Sequence, residues 1–132
     1  MHLIVRGLAA LFLLSSLTVV KADVEKAYDG NLYERLTEGG EVVLVDIYAS
    51  WCPTCAKQQK VLQDYINNNP DKKFHILKVD FDTQKDVVKK FQAPRQSTLI
   101  LFVGQERHWF SVAETRYEKI AEQLDQAIAE AK

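Results

Sequence analysis

The sequence predicts an α/β domain in which a central four-stranded mixed sheet is flanked by helices on both faces. Three observations lead to this fold class. Predicted helices alternate with predicted strands, the last two strands form a hairpin, and the first strand is the apolar run Val42-Val43-Leu44-Val45-Asp46-Ile47. Such a run is typical of a strand that is buried on both faces, as in a parallel or mixed sheet. The length of 132 residues fits one domain.

The first half of the domain is predicted to run helix, strand, helix, strand. Residues 29–38 have apolar side chains at helical spacing, and Gly39-Gly40 ends that helix. Residues 41–48 form the apolar strand, and residues 52–68 form a long helix that ends in an Asn-Asn-Asn-Pro sequence. Residues 74–79 are mainly apolar and predict the second strand.

The second half is predicted to begin with a short helix and to continue with a hairpin. Residues 83–92 form the short helix, with Thr83 as its cap. Residues 98–103 and 107–112 form two strands that are joined by a tight turn at Gly104-Gln105.

The last helix is predicted from a capping box and an apolar stripe. Thr115 opens it, and Glu118 lies three residues later, where a capping box needs an acid. Ile120, Leu124 and Ile128 then recur every four residues along one face. This helix therefore packs one side against the sheet.

The first 22 residues differ from the rest of the chain. Arg6 precedes the apolar run Leu8–Val20, and Val20-Lys21-Ala22 places small side chains where signal peptidase prefers them. We therefore expect residues 1–22 to be a signal peptide that is cut after Ala22, and residues 23–132 to form the mature domain. The alternative is an uncleaved membrane anchor, although a spanning helix needs about 20 apolar residues.

The compartment and the charge limit the classes of partner. A periplasmic location is our first expectation and simple secretion is the second, because a disulfide persists in both places. The formal net charge is -1, and there is no basic patch. We therefore expect no nucleic-acid partner.

The two cysteines of the chain, Cys52 and Cys55, raise three alternatives. A structural zinc site needs about four ligands, and His75 and His108 have no paired spacing that would complete one. A disulfide that closes such a short loop contributes only about 2 kcal/mol through chain entropy. A working redox pair explains why the cysteines follow a buried strand and open a helix.

The redox hypothesis gives each neighbouring residue a role. If Cys52 is the helix N-cap, Pro53 takes the first helical position, where its missing N–H costs nothing. The free N–H groups of Thr54 and Cys55 and the helix dipole then stabilise a Cys52 thiolate. Cys55 is placed to resolve the mixed disulfide. Trp51 either covers the sulfurs with an apolar rim or packs in the core.

The segment from Val43 to Cys55 resembles the active-site segment of thioredoxins, and residues 97–102 resemble their later active-site strand. The similarity covers roughly residues 29–130. It implies a thioredoxin fold and a thiol–disulfide oxidoreductase with a Cys-Pro-Thr-Cys site. It further implies a redox-active Cys52–Cys55 disulfide and neither a metal nor an organic cofactor.

The resemblance also implies a role for the aspartate in the apolar strand. In thioredoxins an aspartate at the position of Asp46 is buried behind the second cysteine, and burial raises a carboxyl pKa. Asp46 is thus expected to accept a proton from Cys55, and Lys78 matches the family lysine near that aspartate. The alternatives are an Asp46 that reaches solvent at the strand end and a Lys78 that is a solvated edge residue.

Several residues depart from the family pattern. Pro53-Thr54 replaces the Gly-Pro of thioredoxins. A proline directly after the first cysteine is typical of more oxidising relatives such as glutaredoxins. Lys60 replaces the proline that kinks the helix, and Ala113 replaces a glycine that lets a substrate backbone approach. Ser97 takes the place of the cis-proline.

The serine changes what is expected of the loop before the later strand. A cis bond that does not precede proline costs about 2.5–4 kcal/mol, so a trans Gln96–Ser97 bond is favoured over a cis one. In either case Ser97 should lie beside Cys52, and its hydroxyl should lower the Cys52 pKa. Gln96, Ser97, Ala113 and Trp51 are the expected substrate-binding residues.

Two functions of different classes follow from the sequence. The first is an exported oxidoreductase that acts on protein thiols and disulfides and is recharged by a membrane redox partner. The sequence has no large helical insertion and no dimerisation arm, which favours a compact, monomeric reductase. The alternative is a binding module that uses the same fold to hold a metal or a partner protein without redox turnover.

Overall fold

The computed structural model describes residues 24–131, and these form a sheet with helices on both faces. The predicted signal peptide, residues 1–22, lies outside the described residues. The strands are β1 (Glu25–Ala27), β2 (Val42–Tyr48), β3 (His75–Asp80), β4 (Thr98–Val103) and β5 (Glu106–Val112). The helices are α1 (Gly30–Glu38), α2 (Pro53–Asn68), α3 (Lys85–Lys90) and α4 (Tyr117–Glu130). The predicted α/β class is confirmed.

The predicted number of strands is wrong, because β1 adds a fifth strand to the sheet. The strand is three residues long, Glu-Lys-Ala, and carries no alternating apolar pattern that could reveal it. Its partner is β3, with Glu25 opposite Ile76 and Ala27 opposite Lys78. Pairing with the edge of β3 therefore forms this strand, and the sequence of residues 25–27 does not predict it.

The strands lie in the order β1-β3-β2-β4-β5. β1, β3 and β2 are parallel to one another, whereas β4 is antiparallel to β2, and β5 is antiparallel to β4. The buried strand β2 thus lies at the centre of the sheet. Both cysteines follow β2, so they lie beyond the carboxyl end of the central strand.

Side chains of β2 alternate between two separate cores, as the strand period of two requires. Val42 and Leu44 pack with residues of α2 and α4, and we call this side the α2/α4 face. Val43 and Val45 pack on the other side with residues of α1 and α3. Asp46 has the parity of Leu44, so its carboxyl group lies on the α2/α4 face.

Two predicted helix starts are confirmed. Asp29 caps α1, and its Oδ1 accepts the backbone N–H of Leu32 at 2.8 Å. Cys52 is the N-cap of α2, with Pro53 as the first helical residue. Both starts follow from short-range rules, which explains why the sequence alone predicts them.

Two other predicted helix starts are wrong. α3 begins at Lys85, and the N–H of Thr83 is bound by Asp80 Oδ1 at 3.2 Å, so Thr83 belongs to a turn. α4 begins at Tyr117 and has no capping box. Glu114 Oε1 instead accepts the N–H groups of Thr115 and Arg116 at 3.1 and 2.9 Å. In each case an upstream acid accepts the N–H of the residue that was predicted to begin the helix.

Candidate redox site

The sulfur of Cys52 lies at the N-terminus of α2. The residue has extended backbone angles, φ -92° and ψ 111°, so its side chain turns back over the first helical turn. The backbone N–H of Cys55 donates to Cys52 Sγ over 3.2 Å. Both cysteines are free thiols, with exposed fractions of 5% and 7%. The first turn of the helix therefore brings the two sulfurs together in a nearly buried position.

Ser97 lies directly against both sulfurs. Its Oγ is 3.1 Å from Cys52 Sγ and 3.2 Å from Cys55 Sγ. None of the peptide bonds between residues 24 and 131 is cis, so the favoured trans Gln96–Ser97 bond is confirmed. The φ of Ser97 is +64°, a left-handed value that is uncommon for residues other than glycine.

The two cysteines differ in proton affinity. Burial works to raise the pKa of Cys52, but hydrogen bonds from the Cys55 thiol, the Ser97 hydroxyl, the Cys55 N–H and the Gln96 side chain together hold that pKa below its usual value. Burial and the hydrogen bond with Cys52 raise the pKa of Cys55. The thiolate therefore forms first on Cys52.

Asp46 is buried on the α2/α4 face, with an exposed fraction of 3%. The alternative in which it reaches solvent is therefore wrong. Burial raises the pKa of Asp46 to about 6; Lys78 acts to lower it and Glu25 to raise it. This carboxyl group can hold or release a proton near neutral pH.

Lys78 lies beside Asp46 in the register of β2 and β3. Its Nζ pairs with Glu25 Oε1 at 3.1 Å and donates to Gln59 Oε1 at 2.9 Å. Glu25 Oε2 accepts a hydrogen bond from Gln59 Nε2 at 2.7 Å. The alternative of a solvated edge lysine is wrong, because the ammonium group is partly buried in this network and also lies 4.4 Å above the Tyr48 ring.

Trp51 precedes Cys52 in the chain, and Ala113 contacts Ser97. Trp51 is 60% exposed, so the alternative of core packing is wrong. Its indole Nε1 donates to Asp82 Oδ2 at 2.7 Å, which tethers the ring at the surface. Ala113 has a φ of +62°, and its N–H donates to the Ser97 carbonyl at 2.9 Å. This residue adopts a left-handed backbone, which glycine adopts more readily than alanine does.

Two residues of the site were not predicted from the sequence. Gln58 is fully buried, and its Nε2 donates to the carbonyls of Ser97 and Glu114. A glutamine on the apolar stripe of α2 is a signal that could have identified it. Glu25 offered no such signal, because β1 is defined only by its pairing with β3.

Two features are absent from the described residues. Between residues 24 and 131, no three side chains of His, Cys, Asp or Glu are grouped so that they could hold a metal. His75 and His108 each lie near a glutamate, at 3.5 Å from Glu41 and 3.2 Å from Glu130. No helix in this part of the chain is both long and apolar enough to cross a membrane.

This chain is similar to known proteins in sequence and in fold. The Thioredoxin family model matches residues 19–129. Thioredoxin from Staphylococcus haemolyticus is 34% identical over 102 residues, which cover 77% of this chain and 95% of that protein. The crystal structure of Trxlp from Edwardsiella tarda aligns with a TM-score of 0.71 and 32% identity, over 76% of this chain and 97% of that one. Thioredoxin of Malassezia sympodialis aligns at 0.67 with 20% identity, over 79% and 92% of the two chains, a likeness in fold alone.

Proposed function

Because the chain belongs to the thioredoxin family and is a thiol–disulfide oxidoreductase, we propose that it exchanges disulfides of exported proteins through Cys52 and Cys55. The observation that supports this most directly is the environment of Cys52 Sγ. It accepts the Cys55 N–H at 3.2 Å and lies 3.1 Å from the Ser97 hydroxyl. Donors at these distances favour the thiolate, which is the form that attacks a disulfide.

In the first step the Cys52 thiolate attacks one sulfur of a substrate disulfide. A bond forms between Cys52 Sγ and that sulfur, and the substrate S–S bond breaks. The other substrate sulfur leaves as a thiolate and takes a proton from water. The product is a mixed disulfide, and no electrons have been lost or gained in total.

In the second step Cys55 resolves the mixed disulfide. Cys55 loses its proton and attacks Cys52 Sγ, so the Cys52–Cys55 disulfide forms and the second substrate sulfur leaves as a thiolate. Asp46 accepts the Cys55 proton, directly or through water. With a pKa of about 6 it is ionised at pH 7 and is a stronger base than an exposed aspartate.

The substrate binds around the sulfurs in this proposal. Trp51 supplies an exposed apolar surface next to Cys52, and its tether to Asp82 limits the entropy lost on binding. Gln96, Ser97 and Ala113 present backbone to an extended substrate segment. Pro53 and Thr54 tune the first helical turn, and Lys78 tunes Asp46.

The compartment and the partners complete the proposal. Residues 1–22 direct export, with the periplasm as the first location and secretion as the second, whereas retention by an uncleaved signal is the alternative. The mature chain works as a monomeric reductase, and a membrane redox partner returns electrons to the Cys52–Cys55 disulfide. Family membership supports this enzyme over a binding module of the same fold.

A reduction assay and a trap test the proposal together. With dithiothreitol as electron donor, the protein should reduce insulin with many turnovers. Cys55→Ser should stay covalently attached to substrate through Cys52, and Cys52→Ser should trap nothing. Stoichiometric binding without turnover, or trapping through Cys55, contradicts the proposal.

Export needs its own experiment. The full chain is expressed in a Gram-negative host, the cells are fractionated, and the mass of the product is measured. A periplasmic protein that begins at Asp23 supports export and cleavage after Ala22. A cytosolic protein that retains Met1 contradicts both.

A further inference from the structure

Gln58 is a polar residue in an apolar position. It lies on the buried stripe of α2 that also includes Leu62 and Tyr65, and no part of it is exposed. Its Nε2 donates to the Ser97 carbonyl at 3.1 Å and to the Glu114 carbonyl at 2.9 Å. The side chain thus joins α2 to the loop before β4 and to the turn after β5.

The orientation of the Gln58 amide is determined by these two carbonyls. Rotating the amide would turn Oε1 toward two carbonyl oxygens and would lose both hydrogen bonds. In the observed orientation, Oε1 is buried without a hydrogen-bond partner among the described residues. A leucine would fill this position without an unpaired polar atom. The amide is therefore better explained by its two contacts than by packing.

The backbone of Ser97 is held at three points. Its N–H donates to the Ile47 carbonyl at 2.8 Å, and its carbonyl accepts from the Ala113 N–H at 2.9 Å and from Gln58. This backbone has a φ of +64°, which few residues adopt unless their surroundings stabilise it. Because the backbone angles set the direction of the side chain, these contacts also place the hydroxyl.

We propose that Gln58 is a positioning residue of the redox site, whose amide holds the Ser97 backbone so that the Ser97 hydroxyl stays against the sulfurs of Cys52 and Cys55. The inference rests on the proposed role of Ser97 in stabilising the Cys52 thiolate. Among the described residues no hydrogen bond joins Gln58 to either sulfur, so its proposed effect on Cys52 passes through Ser97.

A double-mutant cycle tests whether Gln58 acts on Cys52 through Ser97. The Cys52 pKa is measured by thiolate absorbance in the full mature protein and in Gln58→Leu, Ser97→Ala and the double variant. Gln58→Leu should raise the Cys52 pKa by half or more of the rise seen in Ser97→Ala. In the Ser97→Ala background, Gln58→Leu should cause no further rise.

Each outcome separates this inference from the function on which it rests. If Ser97→Ala leaves the Cys52 pKa unchanged, the proposed role of Ser97 is wrong and the inference falls with it. If Ser97→Ala raises the pKa but Gln58→Leu does not, only the inference is wrong. An equal effect of Gln58→Leu in both backgrounds also overturns it, because the effect would not pass through Ser97.

Controls test whether the effect is specific to Gln58 and whether each variant is folded. Gln123 of α4 is the other buried glutamine in the described residues, so Gln123→Leu is the matched variant and should leave the Cys52 pKa unchanged. Far-UV circular dichroism and thermal unfolding establish that each variant is folded. If Gln58→Leu does not fold, Gln58→Met, which is similar in length, takes its place in the same cycle.

Discussion

Two regions of the molecule each enclose an ionisable group and change its proton affinity in opposite directions. At the sulfur end, formed by Cys52, Cys55 and Ser97, the pKa of the Cys52 thiol is lowered. In the carboxyl layer, formed by Asp46, Lys78 and Glu25, the pKa of Asp46 is raised to about 6. Little solvent reaches either residue, but Asp46 lies deep in the protein and Cys52 lies just under the surface, so burial acts more strongly on Asp46.

The two groups also differ in the neighbours that each one has once it is removed from water. Burial penalises the charged form of both groups. Cys52 Sγ then has a backbone N–H and a hydroxyl within 3.2 Å, and such short hydrogen bonds favour the anion. Asp46 has the Lys78 charge nearby, but Glu25 binds that ammonium and opposes its effect. Hydrogen-bond donors at short range therefore outweigh the shallow burial of Cys52, whereas a shared charge does not outweigh the deep burial of Asp46.

The largest expected effect comes from removing the nucleophile at the sulfur end. Cys52→Ser should lower the rate of insulin reduction by roughly a thousandfold or more, because an exchange reaction has no substitute for the attacking sulfur. Alkylation of the reduced protein at pH 6 should label Cys52 ahead of Cys55. Labelling of Cys55 first would reverse the assignment of the two sulfurs.

Asp46→Asn should have the next largest effect and reports on the carboxyl layer. The folded protein binds the Asp46 proton more tightly than the unfolded chain does, so Asp46 costs stability as pH rises from about 4 to about 6, and the full cost persists above that range. Asparagine removes this cost. The free energy of unfolding should increase by roughly 1–3 kcal/mol at pH 7.5 and by much less at pH 3.5.

Urea unfolding at both pH values measures this change, and stopped-flow kinetics should show slower resolution of the mixed disulfide than in the parent. Asp64→Asn is the matched control, because Asp64 is an exposed acid of α2 paired with Lys60. Its effect should stay within about 0.5 kcal/mol. If Asp46→Asn leaves both the stability and the kinetics unchanged, the carboxyl layer has no role in the mechanism.

Ser97→Ala separates hydrogen bonding from burial at the sulfur end. The alanine keeps the loop but loses the hydroxyl, so the Cys52 pKa should rise by about one pH unit, as expected for one hydrogen bond to a charged group. Thiolate absorbance measures the pKa. Ser111→Ala on β5 is the control and should not change it. A Ser97→Ala protein with the parent pKa would show that the other hydrogen-bond donors stabilise the thiolate without the Ser97 hydroxyl.

The smallest expected effect concerns the charge balance around Asp46. Glu25→Gln removes the acid that binds Lys78, so the Asp46 pKa should fall by a few tenths of a pH unit. Lys78→Met should move it in the opposite direction. NMR titration of the Asp46 carboxyl carbon measures both. A shift of the same sign in the two variants is incompatible with competition for the Lys78 charge.

Much of the site followed from local rules. Cys52 was predicted to be an N-cap because the rule involves only the next three residues, and the structure has it there. The burial of Asp46 was predicted from the apolar run around it together with the family resemblance. The starts of α3 and α4 were predicted wrongly, since Asp80 and Glu114 accept the N–H groups of Thr83 and Thr115, and these residues lie before the helices.

By itself, the sequence determined the features whose physical causes lie within a few neighbouring residues: the buried central strand, the helix that starts at the cysteines and the turn at Gly104. Only the tertiary structure decided which distant groups meet. β1 exists because β3 offers it an edge, and Glu25 then reaches Lys78. Gln58 and Ser97 are 39 residues apart and meet only when α2 packs beside β4. Hydrogen bonds across such separations depend on the closure of long loops and on packing, and no local pattern encodes them.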